Sequence, residues 1–313
     1  MSVSTLVIGG GGFIGREVVN ALLIGGEEVA VAGRRNRSLV NIPKGIQYIT
    51  VDPEDPQLLV NLFPKYDAII DLAYATAPNT QFLNPLTDIQ NNVFTNVHFF
   101  ESLAKSKWQG RLVVVSSGGT VYGVSSHLPI SESNSTLPIS PYGIAKLVIE
   151  RYAEMYYRLY GLNVVVVRPA NAYGVGQIPF TGQGFVSTAI GCIAQRRPVT
   201  VFGVSGTIRD YVHVKDVATG ILAALDRGSA GGFYNIGTGI GRTNMEVLDG
   251  LAGLVTQYGF VVEVKNEPTR VFDVPFNVLN SSKLMDECGW QPALKFEDGL
   301  KEMWHDISLK YVG

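Results

Sequence analysis

Four consecutive glycines, Gly9 to Gly12, separate a short apolar run, Thr5-Leu6-Val7-Ile8, from a stretch in which Ile14, Val18, Ala21 and Leu22 recur at helical spacing. A chain that leaves a buried strand through glycines can turn within a few residues and bring its backbone close to a ligand. Gly9, Gly12 and Gly15 form a G-x-x-G-x-x-G pattern at this strand-to-helix junction. Such a junction suits a dinucleotide pyrophosphate held on the free amides and positive dipole end of the helix. Phe13 and Ile14, inside the pattern, join the candidate cofactor-binding set.

The rest of the first half alternates in the same way. Apolar runs suited to buried strands follow at Val29–Ala32, after the Gly25-Gly26 helix stop, and at Tyr48–Val51, Ala68–Leu72, Leu112–Val115 and Val164–Val167. Helical stretches lie between them at Gln57–Phe63, Asp88–Ser106 and Tyr142–Tyr160. Near-continuous apolar strands alternating with helices predict a Rossmann-type α/β fold, a doubly wound parallel sheet covered on both faces. After Pro169 the rhythm changes. Tyr173–Gly184, rich in Gly, Gln and Pro, reads as a loop. Helices are expected at Phe185–Gln195, Lys215–Asp226, Asn244–Tyr258, Ser281–Cys288 and Glu297–Leu309, with strands at Val199–Phe202 and Gly232–Ile236. The expected division is a dinucleotide-binding domain over residues 1–170, with a return to it at 210–237, and a smaller C-terminal α/β substrate domain over 171–313.

Composition removes several classes of function. With 313 residues, 46% hydrophobic and 17% charged, the chain can bury a large core and is not disordered. A net charge of −2 argues against a nucleic-acid coat or a polybasic membrane binder. No apolar run reaches the roughly 20 residues of a bilayer span, and the N-terminus lacks a secretory pattern. Cys192 and Cys288 are too few for a disulfide framework. A cytoplasmic protein with neither membrane nor nucleic acid as partner is expected. His98, His127, His213 and His305 are scattered, so no metal site is expected.

The end of the second strand in such a fold meets the adenine ribose, where an acid suits a 2′-hydroxyl and an arginine a 2′-phosphate. Here the sequence is Gly33-Arg34-Arg35, with no acid. Either the two guanidiniums hold a phosphate or adenine, which favours NADP over NAD, or they are solvated surface arginines. Asp52, after the third strand, suits either the adenine amino group or the cap of the next helix. Tyr142 and Lys146, four apart, share one helix face, and the Ser116-Ser117 strand end precedes them. An ammonium beside a phenol favours phenolate and lowers its pKa. Lys146 also suits the nicotinamide ribose, with Tyr142 as acid/base for a sugar hydroxyl or ketone.

GGGGFIG at 9–15, DLA at 71–73, SSGGTVYG at 116–123, SPYGIAK at 140–146, VRPANAYG at 167–174, RDYVHVKDVA at 209–218 and YNIGTG at 234–239 span most of the chain. Together they resemble the extended short-chain dehydrogenase/reductase family, in its nucleotide-sugar branch. The resemblance implies that Tyr142 is the catalytic base and Lys146 its partner, with Leu72, Ala73 and Ser116 lining the cofactor. It implies that Asn171, Arg209, Arg270 and Asp273 hold a nucleoside diphosphate, and that Val201 and Phe202 belong to a uracil-binding strand. It also implies a homodimer through helices 88–106 and 142–160, with Phe94, Val97, Phe100 and Leu103 as an apolar face or as plain core.

Three departures stand out. The family's catalytic Ser or Thr aligns with Gly118, leaving Ser117, Thr120 or a water to bond the substrate hydroxyl. Arg34 replaces the usual acid, and Asp71 stands where histidine is frequent. The expected activity is nucleotide-sugar 4-epimerisation of a UDP-sugar through a 4-keto sugar, with NAD or NADP. The alternatives are an NADPH-dependent 4-keto-sugar reductase and a non-catalytic nucleotide-sensing protein. A 4,6-dehydratase would need an acid pair where this chain has Gly119-Thr120.

Overall fold

The structure is a computed structural model that describes residues 3–34, 36–37, 40, 42–51, 62–75, 85–270 and 273–311. Seven strands form one sheet: β1 (Ser4–Ile8), β2 (Glu28–Gly33), β3 (Gln47–Thr50), β4 (Ala68–Asp71), β5 (Arg111–Val115), β6 (Val164–Pro169) and β10 (Phe233–Ile236). Their order is β10-β6-β5-β4-β1-β2-β3, and every pair is parallel. The chain runs outward from β1 to β3, then returns to the other side of β1 at β4. That reversal opens a crevice beyond the carboxyl ends of β1 and β4, where ligands bind in open α/β sheets.

Strand alternation divides the core. Val7, Val31, Ile70, Val113 and Val165 face one layer, filled by Val18 and Leu22 of α1 (Phe13–Ile24), Val217 and Ile221 of α6 (Val214–Arg227), and Leu284 of α8 (Ser282–Cys288). Leu6, Ala30, Ile69, Leu112 and Val164 face the other, filled by Phe99 and Leu103 of α3 (Thr95–Lys105) and Ile149 and Ala153 of α4 (Pro141–Tyr160). Each such side chain stabilises the fold by about 2 kcal/mol.

A third core lies after Pro169. It joins α5 (Phe185–Ala194), α7 (Asn244–Val255) and α9 (Phe296–Tyr311) to β8 (Val199–Phe202), which pairs in parallel with β12 (Val264–Glu267). A small sheet centres on β9 (Ile208–His213). It takes β11 (Gly241–Thr243) antiparallel on one edge, and β13 (Phe276–Asn277) and β7 (Asn171–Tyr173) in parallel. The reading of Tyr173–Gly184 as loop begins one residue early, because Tyr173 closes β7, a strand too short to show periodicity.

The helix expected at Asp88–Ser106 is three pieces. α2 (Pro85–Asp88) passes through a π-helical segment, Ile89–Phe94, into α3. The wide turn buries Asn92, whose amide bonds the Asp88 carboxylate. Residues 57–61 of the expected Gln57–Phe63 helix lie outside the described residues, and Phe63–Lys65 is a 3-10 turn. Phe100 and Leu103 are core, while Phe94 is exposed beside Leu86 and Ile89. Among the described residues no helix is long and apolar enough to cross a membrane, and no cluster of three or more metal-ligating side chains occurs.

Candidate active site

The crevice is lined first by the glycine turn. Gly9 has a φ of +81°, and a Cβ there would stand 3.1 Å from Ala73 N, so Leu72 and Ala73 close directly over the loop. A Cβ at Gly15 would come within 2.3 Å of Gly9 O, so only glycine lets α1 pack on the turn. The α1 N-cap is Gly12, with no side-chain cap and no acid in the first turn. A Cβ at Gly12 would meet nothing closer than Gly9 O at 3.2 Å, so the amide end of the helix stays open to a ligand. Nearby, Ser116 Oγ is buried without a hydrogen-bond partner. An open helix end and an orphaned hydroxyl fit a dinucleotide. Arg34 is exposed at the end of β2, with no hydrogen bond or ion pair among the described residues. Arg35 and Asp52 lie outside the described residues.

Ser140 starts α4 by accepting the Gly143 N–H at 3.1 Å, and Pro141 occupies the first turn. This cap sets Tyr142 and Lys146 at the mouth of the crevice, one turn apart. Lys146 is 6% exposed. Its Nζ donates to Val115 O at 2.8 Å, at the end of β5, and lies 4.4 Å from the centroid of the Tyr74 ring. Burial lowers its pKa to about 8, against the opposing charges of Asp71, Glu150 and Asp88. Burial raises Asp71 to about 6, opposed by the Ala73 N–H and by Lys146. The Tyr142 hydroxyl is pushed up to about 12 by burial, opposed by hydrogen bonding with Ser117 and reinforced by Asp88. Burial outweighs what lowers the phenol in this structure. The Lys146 ammonium lies 5.9 Å from the Tyr142 ring centroid, with the Val115 carbonyl and the Tyr74 ring as its nearer contacts.

Ser117 is thus the hydroxyl that acts to lower the Tyr142 pKa. Thr120 Oγ1 turns back onto Ser117 O at 3.4 Å. At Gly118 a Cβ would come 2.4 Å from Leu279 Cδ1 and 2.8 Å from Arg168 O, so this backbone leaves no room for a serine without a shift.

The small sheet completes the crevice. Asn171 sits opposite Tyr211 and Asn277 opposite Arg209, along β9. Asn171 Oδ1 and Asn277 Oδ1 are both buried without hydrogen-bond partners among the described residues. Asn277 Nδ2 donates to Gly118 O at 3.0 Å, and a Cβ at Gly119 would stand 3.4 Å from Asn171 Oδ1. Both carboxamides therefore border the Ser117–Gly119 turn. Arg270 grips Asp273 at 2.8 and 3.0 Å and stacks on Phe202 at 4.0 Å. Burial lowers the Arg209 pKa, and the Arg270 charge lowers it further against Tyr211 and Asp273. Arg209 donates to Ile208 O at 2.9 Å, and two guanidiniums close enough to feel each other's charge suit an anion. The Val201 side chain packs in the third core, while the Phe202 ring lies under Arg270. Sequence reasoning passed over Asn277, Tyr74, Asp88 and Asn92. The only signal was the i, i+4 pair Asp88 and Asn92 ahead of a helix.

Residues 5–237 match the NAD dependent epimerase/dehydratase family, and the chain belongs to it. As the motifs implied, this is an extended short-chain dehydrogenase/reductase of the nucleotide-sugar branch. A UDP-glucose 4-epimerase of Mycolicibacterium smegmatis is 32% identical over 304 residues, covering 95% of this chain and 96% of the relative. A Thermus thermophilus UDP-glucose 4-epimerase solved in complex with NAD superposes with a TM-score of 0.87 at 31% identity, over 97% of this chain and 98% of that one. The Thermotoga maritima UDP-glucose 4-epimerase solved with UDP-glucose gives 0.89 at 30%, over 98% and 99%. Of the two nicotinamide dinucleotides, the family and its NAD-bound neighbours name NAD.

Proposed function

We propose that this chain is an NAD-dependent UDP-sugar 4-epimerase of the UDP-glucose/UDP-galactose type. The observation that carries the reading is that Leu72 and Ala73 close over Gly9 of the glycine turn while Tyr74, next in the chain, touches both Tyr142 and Lys146. NAD, held by Gly9, Gly12, Phe13, Ile14, Gly15, Leu72, Ala73 and Ser116, would supply a hydride acceptor and donor for sugar C4. Tyr142, as its phenolate, takes the proton from the 4-hydroxyl as hydride leaves C4 and gives it back as hydride returns, and Ser117 holds that oxygen in line. Lys146 keeps a positive charge at the mouth of β5, which favours that phenolate. Arg209, Arg270 and Asn171 grip the diphosphate, with Phe202 and Asp273 beside the nucleoside, so the sugar can turn over while its anchor stays fixed. Residues 1–170, with a return at 210–237 that adds α6 and β10, then form the dinucleotide domain, and the remainder of 171–313 the nucleotide-sugar domain.

The same reading includes a homodimer through the helices at 85–105 and 141–160, supported by exposed Leu86, Ile89, Phe94 and Ile144. It includes a cytoplasmic location, supported by free Cys192 and Cys288.

The test is to mix purified protein with UDP-glucose, without added cofactor, and follow UDP-galactose. Interconversion is expected, and its absence overturns the reading. A second reading, an NADPH-dependent 4-keto-sugar reductase, draws on the exposed Arg34 at the end of β2. NADPH oxidation that requires a 4-keto sugar would favour it. Nucleotide binding with neither reaction would favour a sensor.

A further inference from the structure

Tyr74 follows the Leu72-Ala73 pair and takes no part in the functions above, yet it is wedged against both reacting side chains. Its ring meets Tyr142 edge-on, with centroids 4.8 Å apart and planes at 73°. Lys146 Nζ lies over the same ring at 4.4 Å. Its hydroxyl donates to Asp88 Oδ2 at 2.9 Å and Oδ1 at 3.1 Å. Asp88 is 1% exposed and also accepts from Asn92 Nδ2 at 2.9 Å. Asn92 Oδ1 in turn accepts the Ala75 N–H at 2.6 Å, and Asn92 O accepts from Asn96 Nδ2 at 2.9 Å. Tyr74 is therefore pinned at both ends, its hydroxyl by Asp88 and its backbone neighbour by Asn92. Asn92 lies in the π-helical segment and Asp88 immediately before it. An inserted turn of this kind is a frequent mark of functional geometry.

We propose that Tyr74 is a positioning residue for the Tyr142–Lys146 pair: its ring holds the Lys146 ammonium in a dry slot through a cation–π contact and fixes the edge of the Tyr142 phenol, with Asp88 and Asn92 as its mount. The proposal deepens the 4-epimerase reading and rests on it for its kinetic readout. The charges around Lys146 come from several elements. Asp71 closes β4, Asp88 closes α2, and Glu150 sits one turn along α4. Glu150 is itself paired with Arg168 of β6 at 2.6 Å. Among the described residues the hydrogen-bond partner of Nζ is the Val115 carbonyl rather than one of these carboxylates. The aromatic face and the Val115 carbonyl both favour the charged form without asking a second ion to be buried.

The test compares Tyr74→Leu, which keeps the slot apolar but removes the ring, with Tyr74→Phe, which keeps the ring. Lys146 is titrated by 15N NMR of lysine ammonium groups in the purified protein, and kcat and KM for UDP-glucose are measured against pH. Loss of a desolvated cation–π contact lowers the Lys146 pKa by about 1 unit in the leucine variant. The alkaline limb of kcat moves down with it, while KM changes less than about twofold, because the diphosphate grip is remote. The phenylalanine variant recovers the wild-type limb. A leucine variant that titrates with the wild type, or a phenylalanine variant that behaves like leucine, overturns the proposal. Should the leucine variant fail to fold, Tyr74→Met takes its place. The NMR arm needs no turnover. A protein whose Lys146 shifts but which never interconverts UDP-glucose would refute the epimerase reading and leave the role of Tyr74 standing.

Discussion

In the seven-stranded sheet, neighbours in space are largely neighbours in local pattern: strands send alternate residues to two helix layers, and α1, α3 and α4 each follow a strand of the same sheet. In the small sheet around β9, strands of two to six residues meet across long stretches of chain, β7 and β13 both reaching the same partner. Its joints are polar. Asp210 is fully buried and accepts from Thr238 N at 2.9 Å, Thr238 Oγ1 at 2.6 Å, Gly239 N at 3.1 Å and Leu279 N at 3.3 Å. One region is held by many interchangeable apolar contacts. The other is held by a few polar ones that cannot be exchanged, and it carries the groups that would select a sugar nucleotide.

Substitutions can break that contrast at different strengths. The largest effect is expected within the reacting pair, where Tyr142→Phe lowers kcat roughly 10³-fold while leaving the fold intact. A variant with near-normal turnover would remove the acid/base assignment. Next come two variants that compare the regions directly. Leu112→Ala should cost about 3 kcal/mol in urea unfolding, with the rate per folded molecule unchanged. Asp210→Asn strips an acceptor from buried donors and should cost a similar amount, about 3 kcal/mol, while also weakening UDP-sugar binding. Equal binding by the two variants would show that the polar joints do not position the site. Smaller again is the choice of hydroxyl, where Ser117→Ala should slow turnover about tenfold and Thr120→Ala less than about twofold. The reverse ranking would move the role to Thr120.

The pH profile sharpens the same comparison. Lys146, lowered to about 8, loses its proton as pH rises through that value, so kcat/KM should fall on the alkaline side near pH 8. Asp71, raised to about 6, loses its charge as pH falls through that value and gives a weaker acid limb. Both shifts are of the destabilising sign. The cost of ionised Asp71 sets in as pH rises from its ordinary value of 3.8 and is complete above about 6. The cost of charged Lys146 sets in as pH falls from 10.5 and is complete below about 8. The active window is therefore the one in which the site strains the fold most. A flat profile between pH 5 and 9 would contradict both assignments.

Legibility followed the same division. Phe13–Ile24 reads as a helix in sequence and is one in the structure, since a glycine turn and a clean apolar stripe leave no competing arrangement. Tyr142 and Lys146 share a face because helical spacing alone puts them there. The lack of room for a side chain at Gly118, the inward packing of Val201 and the π-helical turn at Ile89–Phe94 are another matter, because each depends on what a distant segment leaves room for.

The amino-acid sequence by itself determined the doubly wound sheet, the glycine turn at its switch point and the phenol–ammonium pair, because period, chain punctuation and helical spacing are local quantities. Only the tertiary structure decided that the ammonium lies against Tyr74, that a glycine at 118 is required by Leu279 and the Arg168 carbonyl, and that Asn277 joins Asn171 beside the Ser117–Gly119 turn. Those are contacts between residues tens to more than a hundred positions apart, and their geometry is set by packing density and buried polar partners, which no local pattern encodes.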